Sequence, residues 1–193
     1  MLYFLVAIGL FFDFLNGFHD SSNIVATVIS SRALRPRTAL YFTAAAEFIA
    51  PFLFGVAVAN TIGKGLIEPA SITILVVIAA VLSAVVWNLL TWLIGIPSSS
   101  SHALVGGLLG AAILADGINV VHLSGLTKIL LALFISPPLG LIVGWLLMRI
   151  IQLLFSNAGP RINQAFKRLQ ILTSLSLALS HGTNDSQKTM GII

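Results

Sequence analysis

Long apolar runs separated by short polar stretches make up most of the chain. A membrane-spanning helix needs about 20 predominantly apolar residues. The first run, residues 1–31, exceeds that length and predicts a first span. The second span is predicted at about 38–62, with Glu47 inside it, and the third at about 71–96, with Trp87 and Trp92 near its end as interface anchors. Pro97 stops the third run, and Ser98-Ser99-Ser100-Ser101-His102 then opens a glycine-rich segment at 103–115. That segment is either a thin fourth span or a re-entrant half-helix. A polar connection at 116–125 leads to a fifth span at about 126–148. A basic stretch follows at 149–168, broken by Asn157-Ala158-Gly159-Pro160, and a last segment covers 169–193.

One polar stretch, Asn16-Gly17-Phe18-His19-Asp20-Ser21-Ser22-Asn23, lies inside the first run. A charged group at membrane depth costs roughly 2.5–3.5 kcal/mol on insertion scales, so it points to function. Glycine weakens a helix by about 1 kcal/mol. The expectation is an apolar helix interrupted at mid-depth to hold a polar ligand.

Composition sharpens the class. The 193 residues are 58% hydrophobic and 8% charged, with a mean hydropathy of +1.04, whereas a soluble domain carries about 25% charged residues. The class is an all-α polytopic protein of the cell membrane, with the lipid bilayer as solvent. The net charge of +4 does not argue for nucleic acid, because the few basic residues cluster between apolar segments, as orientation signals do. There are no cysteines, so disulfides and thiolate metal sites are excluded. The N-terminus has no positive n-region and reads as a first span rather than a removed signal peptide.

Charge asymmetry supports five crossings with the N-terminus outside. The inner loops then hold seven basic residues: Arg32, Arg35, Arg37, Arg149, Arg161, Lys167 and Arg168. The outer side holds two, Lys64 and Lys128.

The end of the chain echoes the beginning. His181-Gly182-Thr183-Asn184-Asp185-Ser186-Gln187-Lys188 lines up with residues 16–23, with Gly, Asp and Ser at identical spacing. Five crossings separate the two copies, so the second runs in from the opposite side. That is the plan of an inverted-repeat secondary transporter, with discontinuous helices and a midplane site. Residues 1–160 are then a first transmembrane repeat of about five segments. Residues 161–193 begin a second, inverted repeat that is truncated.

Ser98, Ser99, Ser100 and Ser101 are the best anion donors. They follow Pro97 at a helix start, where free N–H groups and the positive dipole end suit oxyanions. Ser21 and Ser186, at matching places of the two motifs, are counted with them. Gly106, Gly107 and Gly110 allow close packing behind the serines. Asp20 and Asp185 cannot bind an anion while ionised, and their role is to hold a coupling cation, Na⁺ or H⁺. Asp13, Asn16 or Gly17, Asp20, Asn23 and Thr27 fall along one helix face carrying oxygen ligands for a hard cation. Asn184 and Glu47 join this set, and Glu47, set among alanines, should face the interior. Bound Na⁺ would sit at Asp20, Asn23 and Asp185, with no other metal and no cofactor expected. His19 and His102 are single histidines, suited to hydrogen bonding within the site. Lys188 either balances Asp185 or meets substrate. Asp116 and His122 read as ordinary loop residues.

At these residues the chain resembles the inorganic phosphate transporter (Pit) family. Residues 17–23 and 182–188 look like its repeated Gly-x-Asn-Asp signature, and residues 97–102 look like its Pro-x-Ser-Ser/Thr-Ser/Thr-His element. Glu47 matches an intramembrane glutamate of the family's second helix, while His19 stands where the family usually has Asn. The resemblance implies a symporter that moves inorganic phosphate with Na⁺ or H⁺, built from two inverted repeats and acting as a homodimer. The family also includes sulfate permeases, and a non-transporting half-transporter is the remaining alternative. An enzyme is not expected. An intramembrane aspartyl protease needs a Tyr-Asp pair, and Tyr3 and Tyr41 are each followed by Phe.

Overall fold

A computed structural model describes residues 1–53 and 65–191. The predicted end of the second span and Lys64 lie outside the described residues. Among the described residues six long helices follow in order: α1 Leu2–Ser30, α2 Pro36–Leu53, α3 Ile74–Ile94, α4 Ser100–Asp116, α5 Leu123–Leu154 and α6 Ile162–Met190. By length and apolarity α1, α3 and α5 qualify as membrane spans, and α4 is a shorter apolar helix.

Helix ends follow the local chemistry. Pro36 opens α2 at a position where its missing N–H costs nothing. Thr73 caps α3 by accepting from the Val76 N–H at 3.3 Å. Gly95 ends α3 at φ 77°, the left-handed conformation that only glycine adopts freely. The predicted basic loop at 149–168 is mostly helical instead. Helix α5 runs on to Leu154, with Arg149 over the Trp145 ring at 5.5 Å, and α6 already begins at Ile162. Loss of apolarity does not end a helix, and the true breaker is the Asn157 to Pro160 turn.

Helix α1 is the axis of the bundle. One side packs on α3 through Leu5, Ile8, Phe12 and Leu15 against Val77, Val81, Ala84 and Val85. The other side meets α2 and α6, where Ile24, Ala46 and Ala178 bring three helices together. Helix α4 folds back along α3, and Leu104 joins the α1–α3 seam. A Cβ at Gly107 would overlap Ser83 Oγ and the Ala80 carbonyl, so α3 and α4 touch there backbone to backbone. Gly106 and Gly110 have open space instead. At one end the two connecting segments are tied together: Ile67 bridges Val121, and His122 Nε2 lies 3.1 Å from Glu68 Oε2. His122, read as an ordinary loop residue, thus has a partner. Helix α5 has no buried residue along its length.

Gly107→Leu is expected to lower unfolding stability by about 1–3 kcal/mol or more, through overpacking. Gly110→Leu should change it by under about 0.5 kcal/mol, as at an unconstrained surface position. Thermal unfolding in detergent checks both; equal shifts would mean that the α3–α4 contact is not tight.

Candidate functional site

The polar stretch of α1 does not break the helix. Helix α1 is continuous through Gly17 and Asp20, and α6 is continuous through Gly182 and Asp185. The expected mid-depth interruption is therefore corrected at both motifs. In an apolar medium each unsatisfied backbone group costs several kcal/mol, which outweighs the roughly 1 kcal/mol weakness of a glycine. The serine hydroxyls are absorbed by the helix too: Ser21 donates to Phe18 O at 3.4 Å and Ser22 to His19 O at 3.2 Å. Ser186 donates to Gly182 O at 2.8 Å. The polar groups of both motifs therefore stand as side chains on intact helices.

Those side chains meet where α6 crosses α1. The helices run antiparallel: Gln170 Nε2 donates to Thr27 O and Ser174 Oγ to Ile24 O, while at the other end the Thr189 hydroxyl donates to the Asp13 carboxylate. Between these ties, His181 Nε2 lies 3.4 Å from Asp20 Oδ2, and Nδ1 lies 3.3 Å from Glu47 Oε1 and 3.1 Å from Asp185 Oδ2. Three helices contribute one charge cluster. Its close approach depends on Gly182, because a Cβ there would stand 2.5 Å from Glu47 Cα. Lys188, only 5% exposed, pairs with Asp185 at 2.6 Å.

The electrostatics of the cluster are unbalanced. Three carboxylates face one histidine and one lysine. A neutral imidazole carries a single N–H, so the ring can donate to both sides only as imidazolium. Candidate ligand atoms of Asp20, His181 and Asp185 lie within 4.8 Å of one another, close enough to share a cation. Carboxylate oxygens suit a hard cation such as Na⁺.

A cleft of about 510 Å³ opens beside the cluster, between α1 and the α3–α4 turn. His19, Asp20, Asn23, Thr91, Trp92 and Ser98 are among its lining residues. Trp92 holds the two walls together, edge-on to Phe18 at 5.7 Å and stacked on His19 at 6.5 Å. Thr91 Oγ1 and Ser98 Oγ are 2.8 Å apart. Ser99 caps α4 by accepting from the His102 N–H at 3.4 Å. Asp20 belongs to both cluster and cleft.

Not every expected residue converges. Asn23 is exposed and lines the cleft beside Asp20. Asn184 is exposed and lines a second groove, together with Ser176, Ser180 and His181 of the cluster. His102 faces the glycine side of α4, beside Gly106 and Trp87. His181 was missed as a site residue, although it heads the second motif. Asn88, a lone amide in an apolar run, was missed as well; the reasoning that singled out Glu47 applies equally to it.

Comparison with known proteins decides the relationship. A model of the phosphate transporter family matches residues 16–193. The chain belongs to that family. A probable low-affinity inorganic phosphate transporter of Rhizobium meliloti is 46% identical over 98% of this chain and 57% of its own length. One from Streptomyces halstedii is 43% identical over 92% of this chain and 84% of its own length. PitB, a low-affinity inorganic phosphate transporter of Escherichia coli, is 31% identical and is covered over 45% of its length. Thus the chain spans about half the length of most curated relatives it matches. Among solved structures, a sodium-dependent phosphate transporter superposes with a TM-score of 0.86 at 23% identity, over 99% of this chain and 66% of the other. That likeness establishes the fold. As a phosphate transporter family member with several apolar helices, the chain is a multi-pass membrane protein.

His181→Ala would leave Asp20, Glu47 and Asp185 facing one another with Lys188 as the remaining cation. The thermal midpoint is expected to fall, and NaCl should restore more of it than choline chloride, since a ligand of the native state stabilises it by mass action. Equal recovery in the two salts would show that the cluster does not select a small cation.

Proposed function

We propose that the chain contributes to inorganic phosphate transport by cation-coupled symport, driven by Na⁺ or H⁺. The observation that carries this reading is the crossing of α1 and α6. It brings two Asp motifs from antiparallel helices into one negatively charged cluster beside a cleft that ends at the α4 N-terminus. The cluster takes the cation, at Asp20 and Asp185, with Glu47 as further acceptor. The α4 N-terminus, with Ser98, Ser99, Ser100 and Ser101 on or before its first turn, takes the phosphate. Free N–H groups and the positive dipole end favour an anion there. Asp20, shared by both places, makes cation binding a condition for anion binding, because its uncompensated charge repels phosphate.

Residues 1–160 act in this reading as one repeat, and α6 as the first helix of an inverted second. The antiparallel course of α6 and the aligned motifs support it. The relatives are known as inorganic phosphate transporters and the structural neighbour as a sodium-dependent one, which supports the substrate and favours sodium. Assembly as a homodimer belongs to the same reading, with α5 as available apolar surface.

Labelled phosphate uptake into proteoliposomes under an imposed Na⁺ or H⁺ gradient tests the proposal, with the chain reconstituted alone and with a full-length relative carrying the same variants. Asp20→Asn is expected to abolish coupled uptake. Ser100→Ala with Ser101→Ala should weaken phosphate binding more than cation binding. Wild-type uptake in Asp20→Asn would remove the cluster from the mechanism.

A further inference from the structure

The two motif copies differ at one position that bears on charge. With Gly17 aligned to Gly182, Asp20 matches Asp185 and Asn23 matches Lys188. Each companion stands three residues after its aspartate, so helix geometry keeps the two on one face. The first copy thus sets a neutral amide beside its carboxylate, and the second an ammonium.

The surroundings of the two copies differ in the same sense. Asn23 is exposed and lines the cleft with Asp20. Lys188 is enclosed. It is one of three consecutive buried residues, Gln187, Lys188 and Thr189, and Thr189 donates to the Asp13 carboxylate on α1. Lys188 lines neither the cleft nor the groove on α6. Its Nζ lies 2.6 Å from Asp185 Oδ1, while Asp185 Oδ2 faces His181. A lysine is almost never buried unless paired, and Asp185 is the partner here. Among the described residues Asp20 and Glu47 meet no lysine or arginine; both face His181.

We propose that the Lys188 ammonium is a resident cation of the second motif. It stands at Asp185 where a coupling ion would otherwise bind, so a single exchangeable cation is taken up, on the Asp20 side, through the cleft. This rests on the cation-coupled reading given above. An ammonium is a compact point charge that only donates. At hydrogen-bond distance it offsets one carboxylate oxygen as a small hard cation does. Being covalently held, it stays with the protein when substrate leaves, whereas a free ion travels with it. Asp185 keeps Oδ2 for the shared cluster. Asn23, neutral and bearing an oxygen, leaves the place at Asp20 open to an ion that comes and goes.

Equilibrium binding of labelled sodium to the chain in lipid nanodiscs, counted per chain at saturation, tests this. Lys188→Asn, which gives the second motif the companion of the first, should bind about one sodium ion more per chain than the wild type, because a buried unpaired carboxylate is costly and a hard cation suits it. Lys188→Arg, which keeps the charge, should keep the wild-type count. Adding Asp185→Asn to Lys188→Asn should lose the added ion. An unchanged count in Lys188→Asn, as a purely structural ion pair would give, overturns the proposal, and so does an added ion that persists without the Asp185 carboxylate. Loss of phosphate binding in Lys188→Asn with no sodium gained would make Lys188 a substrate ligand and overturns it too. Should Lys188→Asn fail to fold, Lys188→Gln carries the same count. Failure of both to fold in saturating NaCl overturns the proposal, because sodium then does not replace the ammonium. The gain decides the inference even where the wild-type chain binds no sodium, a result that would take sodium out of the reading above.

Discussion

The rest of the structure depends on one contact: α6 pressed against α2 at Gly182 and Glu47, with α1 across both. Three carboxylates stand around His181 because of it. Like charges this close repel, and His181 and Lys188 stand among them as the basic partners. The apolar seam on the far side of α1 holds that helix in register with α3 and thereby sets the cleft beside the cluster. Helix packing and site electrostatics are thus two aspects of one geometry, with Asp20 at the junction.

Much of the fold was legible in the sequence because lipid imposes simple rules. Apolar length marked the helices, Pro36 and Pro97 marked turns, and the serine run marked the start of α4. Glu47 could be assigned to the interior from its alanine neighbours. The continuity of α1 was not legible. Local propensity at Gly17 favours a break, and the surrounding apolar medium overrides it. The helical extension of α5 and α6 into the basic stretch was missed for a related reason: polarity was taken as a boundary, and helices end at breakers instead.

The candidate site was legible in its residue types more than in its partners. Asp20, Asp185 and Glu47 stood out as lone charges in apolar runs, and the structure brings them together. His181 did not, because its place arises only when α2 and α6 touch, and Gly182 beside it, which permits that approach, reads in sequence as a helix break. Asn184 shares a motif with Asp185, but a 100° step per residue turns adjacent residues onto different faces, whereas Asn23, three residues after Asp20, stays with it along the cleft. Asn88 carries no charge and so drew no notice, yet burial of an amide leaves a requirement almost as strict.

The missing side chain at position 182 has one more consequence. The contact it permits with Glu47 is backbone against backbone, and a rotamer change cannot loosen it. The backbone positions from which Glu47 and Asp185 reach His181 are therefore set by how two whole helices sit on each other. If α6 slides or tilts on α2, the charge cluster around His181 must change its size with the helices.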